Sequence, residues 1–294
     1  MNKEIGDFRD IDLNNVEEFN SKKLSNFFSK ELFSLFKNIP KKEKRNYVLK
    51  FITILVIITI VNFWLESPYI FLIYWALISY ILFSYSLIRS IFFREIAEKN
   101  NLQYKKSIPT NDLKGVIFQI NHSGRIRNVL IGKHKERKAR FFSYSYNLKS
   151  GRSSMTYSCT AMEIFFEGIN FPKTLLHYRK DLYAKNHRLG KNEIKINLEQ
   201  EFDKEYLLYT EEDYGIEVMQ VFNKEFLDFL IKEKSDFSIE LNEDRLYIYI
   251  SKEITKSYQF KEFLATANEI TERITPLLER LKNDFNVLNE LRKD

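Results

Sequence analysis

Two long apolar runs constrain this chain more than any other feature of its sequence. They are Tyr47–Leu65 and Tyr69–Ile88, and only the turn Glu66-Ser67-Pro68 separates them. A helix of roughly 20 apolar residues crosses a hydrocarbon core about 30 Å thick, and each run is long enough to do so. The pattern therefore predicts a two-helix transmembrane hairpin over residues 46–93.

The charges beside the two runs predict an orientation for this hairpin. Basic residues precede the first run and follow the second, at Lys41, Lys42, Lys44, Arg45, Arg89, Arg94, Lys99, Lys105 and Lys106. The turn between the runs has no Lys or Arg. By the positive-inside rule, we expect a multi-pass protein of the cell inner (cytoplasmic) membrane with both termini in the cytoplasm. No acidic residue interrupts the runs, which favours an anchor over a transport path.

The hairpin divides the chain into three predicted domains. Residues 1–45 form an N-terminal region with a basic amphipathic helix, which lies on the bilayer surface or packs on the soluble domain. Residues 46–93 are the hairpin, and residues 94–294 form a cytoplasmic α+β domain. That domain is predicted to have a basic, strand-rich part over 115–191 and an acidic strand-helix-hairpin-helix part over 192–294.

Alternating apolar and polar residues predict antiparallel strands in the soluble domain. The clearest case is a hairpin of Ala139–Leu148 and Ser153–Phe166 around the turn Lys149-Ser150-Gly151-Arg152. Further strands are predicted at Val116–Ile120, Asn128–Ile131, Thr174–Tyr178, Glu205–Tyr209, Phe237–Leu241 and Leu246–Ile250.

Apolar residues three or four apart predict two helices near the C-terminus. The first covers Asp213–Lys234 and the second covers Phe260–Leu291. Pro276 lies inside the second pattern, so we expect a kink there or a new helix capped by Thr275. The polar residues 1–14 are expected to be frayed. The predicted fold class is thus α+β, a transmembrane hairpin with a mixed domain of antiparallel strands and a long C-terminal helix.

This order of elements resembles a family of bacterial two-span membrane proteins that carry a cytoplasmic domain of unknown function. The passage from Leu198 to Tyr209 is similar to the family's leucine, phenylalanine and second aromatic that lead into a strand. The acidic turn Glu211-Glu212-Asp213 and an apolar helix with Phe222 and Phe226 follow, as in that family. The resemblance implies a membrane location and supplies no catalytic residues.

The sequence contains no pattern that identifies a reaction. It has no G-x-G-x-x-G, G-x-x-x-x-G-K-[ST], H-E-x-x-H or G-x-S-x-G motif, and its four histidines are widely spaced. The single cysteine, Cys159, is interpreted as a small packed residue of a strand. The alternative that the sequence leaves open is a nucleophile pair of Cys159 and His177. The chain is therefore predicted to be no enzyme and to bind no cofactor or metal.

Basic residues are concentrated in the middle of the chain and acidic residues near its end. Residues 133–191 have 13 Lys and Arg against 4 Asp and Glu, whereas residues 192–294 have 14 against 24. The densest basic group is predicted to contact anionic lipid headgroups or an acidic partner: Lys133, Lys135, Arg137, Lys138 and Arg140. The same charges could meet nucleic acid, for which Phe141, Phe142, Tyr144 and Tyr146 offer stacking faces, but this partner is less favoured than lipid. The alternative is a solvated face that the acidic end partly neutralises.

Three functions remain compatible with the sequence. The first is an integral membrane protein that acts as a membrane-tethered interaction or lipid-sensing module. The second is a subunit of a membrane assembly that forms homo-oligomers or binds an unknown protein partner. The third is an enzyme whose site has no recognisable motif, which would require a deep pocket with convergent polar groups.

Overall fold

The computed structural model describes six parts of the chain. They are residues 5–13, 89–119, 124–150, 153–180, 192–233 and 236–282. The chain divides into two compact units, one of residues 1–14 and 93–294 and the other of residues 15–92. Only residues 89–92 of the second unit are described, so the fold given below is that of the first unit.

Nine strands of the described residues form one antiparallel sheet in the order β1-β2-β3-β4-β9-β8-β5-β7-β6. Their bounds are β1 Gln103–Lys105, β2 Arg125–His134, β3 Arg137–Ser150, β4 Ser153–Phe165, β5 Phe171–Tyr178, β6 Glu193–Ile196, β7 Tyr206–Glu211, β8 Ser238–Glu243 and β9 Arg245–Ile250. Consecutive strands are mostly neighbours, as tight turns between antiparallel strands require.

The helices of the first unit are mostly short. They are α1 Val116–Gln119, α2 Gln200–Glu205, α3 Gly215–Val221, α4 Lys224–Lys232 and the long α5 Ser257–Arg280. Residues 89–99 are also helical. Single turns of 3-10 helix occur at Phe8–Asp10, Thr110–Asp112 and Glu212–Tyr214.

The hairpin of β3 and β4 is the longest pairing in the sheet and confirms the strand pattern of the sequence. The two strands pair without interruption from Ala139 opposite Ile164 to Ser150 opposite Ser153. The neighbouring strand β2 ends earlier and pairs with β3 only as far as Ser145. The hairpin therefore extends beyond β2 as a ribbon.

One face of the sheet is apolar. Residues in register across five strands are Phe141, Met162, Ile248, Ile239 and Leu176, and all are buried. Helix α5 covers this face, because the ring of Phe141 lies 4.8 Å from that of Phe260 and 5.5 Å from that of Phe263. We call Phe141, Met162, Ile248, Ile239 and Leu176 the apolar row. The packing of aromatic edges against ring faces adds to the burial of their area.

The opposite face of the sheet carries polar residues, each of which is the sequence neighbour of a residue in the apolar row. Its central residues, in register across four strands, are Arg140, Glu163, Tyr247 and Glu240, which we call the polar row. A segment of residues 110–119, which we call the strap, covers this face. The strap ring of Phe118 lies 5.2 Å from the ring of Tyr247 and 5.0 Å from that of Tyr144.

The N-terminal residues are bound to the sheet, so the prediction of a frayed terminus was wrong for residues 5–13. The ring of Phe8 is 1% exposed. The Gly6 N–H donates to the carbonyl of Asn101 at 3.1 Å, and the Lys133 N–H donates to the carbonyl of Gly6 at 2.9 Å. A Cβ at Gly132 would lie 2.8 Å from that same carbonyl, so this close approach requires glycine.

The predicted fold class was wrong. A single antiparallel sheet dominates the structure, and no helix of the described residues is both long and apolar enough to span a membrane. Residues 46–88 of the predicted hairpin lie outside the described residues. The placement as a multi-pass inner-membrane protein rested on that hairpin and is corrected with it. The predicted fold class relied on the high hydropathy of two runs. The alternation of apolar and polar residues that builds the sheet is spread over many short segments.

Two local predictions also fail, each for its own physical reason. The apolar residues after Gly115 form the short helix α1 and no strand, because a short apolar run has no decisive period. The predicted helix Asp213–Lys234 is divided into α3 and α4. The division occurs where the side chain of Asn223 accepts a hydrogen bond from the Phe226 N–H at 3.0 Å and caps α4.

The C-terminal helix is present but differs in detail from its prediction. Helix α5 continues through Pro276, and Thr275 is a buried residue inside it, so no new helix starts there. Proline removes one backbone donor, which here costs less than the loss of the packed face would cost. Residues 283–291 of the predicted helix lie outside the described residues.

Candidate functional site

Two of the five predicted contact residues form ion pairs with glutamates of helix α5. The Nζ of Lys135 lies 3.8 Å from the Oε1 of Glu272. Arg137 forms an ion pair with Glu279, and its guanidinium lies 4.6 Å from the ring centre of Phe166. For these two residues the structure shows the neutralisation by the acidic part of the chain that the alternative reading of the sequence described.

Lys133, Lys138 and Arg140 lie on the other face of the same hairpin. Lys133 and Lys138 stand directly opposite each other in the register of β2 and β3. Like charges at directly opposed positions destabilise a sheet. Within the part of the chain that the structure describes, neither lysine has an acidic partner within ion-pair distance. This end of the sheet thus keeps positive charge that costs stability.

Three cations surround one half-buried ring beside the lysines. The ring centre of Phe165 lies 5.0 Å from the Nζ of Lys138, 5.1 Å from the Cζ of Arg140 and 4.9 Å from the Cζ of Arg245. The face of an aromatic ring attracts cations, so Phe165 holds these groups together despite their repulsion. We call Lys133, Lys138, Arg140 and Arg245 the cationic row.

A buried carboxylate joins the two arginines of this row. Glu163 has no solvent exposure. The Nε of Arg140 donates to its Oε2, and the Nη1 of Arg245 donates to its Oε1 at 2.8 Å. The hydroxyl of Tyr247 also donates to Oε1, at 2.9 Å. Burial and the charge of Glu163 raise the pKa of Tyr247 well above its usual value, so the phenol keeps its proton.

The strap is attached to the polar face mainly through its backbone. The Lys114 N–H donates to the hydroxyl of Tyr247 at 3.0 Å, and the side chain of Asn242 donates to the Lys114 carbonyl at 2.7 Å. The Val116 N–H donates to Glu240, and Arg245 donates to the carbonyl of Asp112. These bonds satisfy strap groups that would otherwise be buried without partners.

Glu240 is the second buried carboxyl of the polar face. Burial raises its pKa to about 8, although backbone N–H groups of the strap oppose the rise. Its Oε2 has no hydrogen-bond partner among the described residues. A Cβ at Gly115 would lie 3.1 Å from that oxygen, so glycine lets the strap pass close to the carboxyl. Glu240 is enclosed and faces no open site.

The side chain of Asp112 marks the place where the cationic row meets solvent. Its Oδ2 lies 3.8 Å from the Nη1 of Arg140, and the side chain is 56% exposed. The contact is longer than a charge-assisted hydrogen bond, which spans about 2.7–2.9 Å. A carboxylate is therefore loosely held at the outer edge of Arg140.

A cleft of about 250 Å³ lies elsewhere on the unit, between α4, the end of β9 and the start of α5, and none of the cationic row lines it. The described residues contain no group of three or more His, Cys, Asp or Glu side chains arranged to hold a metal ion. The ring nitrogens of His134 and His177 lie near Asn268 and Ser238, respectively.

Sequence reasoning missed three residues of this site: Glu163, Phe165 and Arg245. The available signal was Glu163, because an acidic residue inside the apolar stretch Met162-Glu163-Ile164 requires a basic partner when that strand is buried. Arg245 follows in the chain only after four further strands, so its arrival beside Glu163 depends on the sheet order.

No protein-family model matches the chain, and no curated protein matches it either. Among solved structures, the chain is similar to the crystal structure of the mycobacterial trehalose monomycolate transport factor A, TtfA. The TM-score is 0.43 at 8% identity, over 63% of this chain and 94% of that chain. A likeness this distant carries no argument, and the family resemblance drawn from the sequence stays a prediction.

Proposed function

We propose that this protein is a non-catalytic binding module whose cationic row holds an acidic segment of a protein partner. The observation that carries this proposal is the pair Lys133 and Lys138, which oppose each other beside two arginines around one ring. Like charges in this arrangement destabilise the sheet, and a bound acidic segment would remove that cost.

The chemistry of the row favours carboxylates as ligands. Its arginines already contact the carboxylates of Glu163, Asp112 and Asp244. A planar guanidinium matches a carboxylate in shape and charge, which makes such contacts specific as well as strong. An acidic peptide would therefore be bound by groups that the unit already uses for its own acids.

Nucleic acid fits the site less well. The neighbouring aromatics that the sequence offered as stacking faces are buried on both faces of the sheet: Phe141, Phe142, Tyr144 and Tyr146. Single strands are usually bound by exposed rings on which bases stack, in addition to positive charge. The cationic row has the charge, but its one ring is already surrounded by cations.

The proposal is tested by titrating the full chain with fluorescent poly-L-glutamate at low and at physiological salt. K133E/K138E is expected to weaken binding roughly tenfold or more, which corresponds to about 1.4 kcal/mol. The matched control is K204E/K232E, which changes the net charge equally at two exposed lysines away from the row. It is expected to have a much smaller effect.

Two results would contradict the proposal. Equal losses in the two double variants would show that only the overall charge of +6 attracts the polymer. Tighter, row-dependent binding to anionic phospholipid vesicles or to single-stranded DNA than to poly-L-glutamate would assign the row to another class of partner.

A further inference from the structure

We infer that Glu163 is a positioning residue of the cationic row: it orients Arg140 and Arg245 so that a partner's carboxylate binds where the side chain of Asp112 now stands. This inference rests on the proposed function and adds the group that the partner contributes and the place where it is held. Glu163 is buried and cannot touch a partner, so it acts through the arginines.

The first step of the argument is the bridge that Glu163 forms between strands. Glu163 lies on β4, Arg140 on the neighbouring β3, and Arg245 on β9 at the other side. Each carboxylate oxygen accepts from one arginine, Oε2 from Arg140 and Oε1 from Arg245. A guanidinium is planar and rigid, so fixing one edge of it fixes the direction of the others.

The second step is where the remaining edge of Arg140 points. Its Nε side is turned inward to Glu163, and its Nη1 lies 3.8 Å from the Oδ2 of Asp112. The side chain of Asp112 is more than half exposed, whereas that of Arg140 is almost covered. The position beside Nη1 is thus a carboxylate position that solvent, and hence a partner, reaches.

The third step is that the strap holds Asp112 by its backbone and only weakly by its side chain. Arg245 donates to the carbonyl of Asp112, which keeps the strap attached when the carboxylate leaves. An ion pair at this distance whose carboxylate is more than half exposed contributes little. A partner's carboxylate can therefore replace that of Asp112 without detaching the strap.

Two variants of equal charge change separate this inference from a simple electrostatic field. D112N and E163Q each remove one negative charge that lies beside the cationic row. If the field alone matters, both bind poly-L-glutamate more tightly. If Glu163 positions the arginines, D112N binds roughly two- to fivefold more tightly, as expected for the loss of one exposed ion-pair competitor, whereas E163Q binds more weakly than wild type.

A third variant keeps the charge. E163D withdraws the carboxylate by one methylene and leaves the net charge unchanged. If only the net charge near the cationic row matters, the affinity for poly-L-glutamate does not change. If Glu163 positions the two arginines, the affinity falls. Thermal denaturation of each variant sets a measuring temperature well below its Tm, so that the titration reports only folded protein. Where E163Q does not fold, E163D decides.

The outcomes distinguish this inference from the proposed function. Wild-type protein that does not bind poly-L-glutamate through Lys133 and Lys138 removes the proposed function and the inference with it. Binding through the lysines, with folded E163D as tight as wild type or E163Q tighter, overturns the inference alone. Weaker binding by E163D together with tighter binding by D112N supports it.

Discussion

The apolar row and the polar row lie one residue apart on the same strands and are stabilised in different ways. Phe141 points to helix α5 and is packed among rings, whereas Arg140 points to the strap and is held by Glu163. Both rows have the same backbone register across β3, β4, β9 and β8. Neighbouring residues of one strand can therefore differ completely in what stabilises them.

This difference affects how each row tolerates change. Apolar burial is non-directional, so a loss in the apolar row scales with the volume removed. A buried charge is tolerated only while its partner is present, so a loss in the polar row depends on which partner is removed. The following predictions test that contrast, from the largest expected effect to the smallest.

F141A tests the apolar row. Phe141 has no solvent exposure and packs against Phe260 and Phe263. Removal of a buried phenylalanine side chain typically costs about 3–5 kcal/mol of unfolding free energy, from lost burial and the cavity that remains. Urea denaturation measures this loss. A change below about 1 kcal/mol would show that the packing of α5 on this face is not a main source of stability.

R140M tests the polar row. It removes one of the two arginines that bind the buried Glu163 and is expected to cost about 2 kcal/mol, less than the loss of a sole partner, because Arg245 still pairs with the carboxylate. The matched double variant R140M/E163M removes both charges and is expected to recover part of this stability, because Arg245 and Tyr247 then lose the acceptor that Glu163 provided. Its poly-L-glutamate binding is expected to stay weak. A double variant as unstable as R140M would show that the pair stabilises the fold by itself.

Glu240 gives the polar face a pH dependence. Its pKa is about 8 in the folded chain, against 4.5 for an ordinary glutamate. As the pH rises from 4.5 to 8, the unfolded chain loses this proton first, so the folded state becomes less stable. Between pH 5 and pH 7 the loss is about 2 kcal/mol. Denaturation of wild type and E240Q at both pH values measures it, and an equal slope in E240Q would contradict the assignment.

His134 gives the opposite pH dependence, with the smallest expected effect. Burial lowers its pKa below 6.5, although the charge of Asp7 and the hydrogen bond that the imidazole donates to the Oδ1 of Asn268 oppose the shift. Below pH 6.5 the unfolded chain takes up the proton more readily, so stability falls as the pH falls. H134Q keeps a polar side chain and is expected to lessen this fall. Thermal denaturation of wild type and H134Q between pH 7 and pH 5 measures the difference.

The parts of the fold that the sequence predicts are those with local causes. The hairpin of β3 and β4 follows from alternation along one stretch, and α5 follows from its helical spacing. The division at Asn223 and the helix α1 depend on the sheet and on the cap, which compete with local preference. The nine-stranded order requires pairings between distant segments that no local pattern contains.

The candidate site shows the same limit. The prediction grouped five basic residues because they are close along the chain. Successive side chains of β3 point to opposite faces of the sheet, so Arg137 lies on one face and Lys138 and Arg140 lie on the other. Alternation alone could have predicted that split. The approach of Arg245 to Glu163 and Phe165 depends on β9 pairing with β4, which the sequence did not indicate.

The attachment of the N-terminal residues has a consequence in terms of chain entropy. The Asp12 N–H donates to the Oδ1 of Asn100 at 2.6 Å, so two parts of the first unit that lie 88 residues apart in the sequence are joined here. The contact thus closes a loop in the chain that includes residues 15–92, which fall outside the first unit. The entropy of closing such a loop grows only with the logarithm of its length, about 0.6 kcal/mol per doubling. A change of a few residues in the length of this loop is therefore expected to alter the closure entropy of the contact between Asp12 and Asn100 very little.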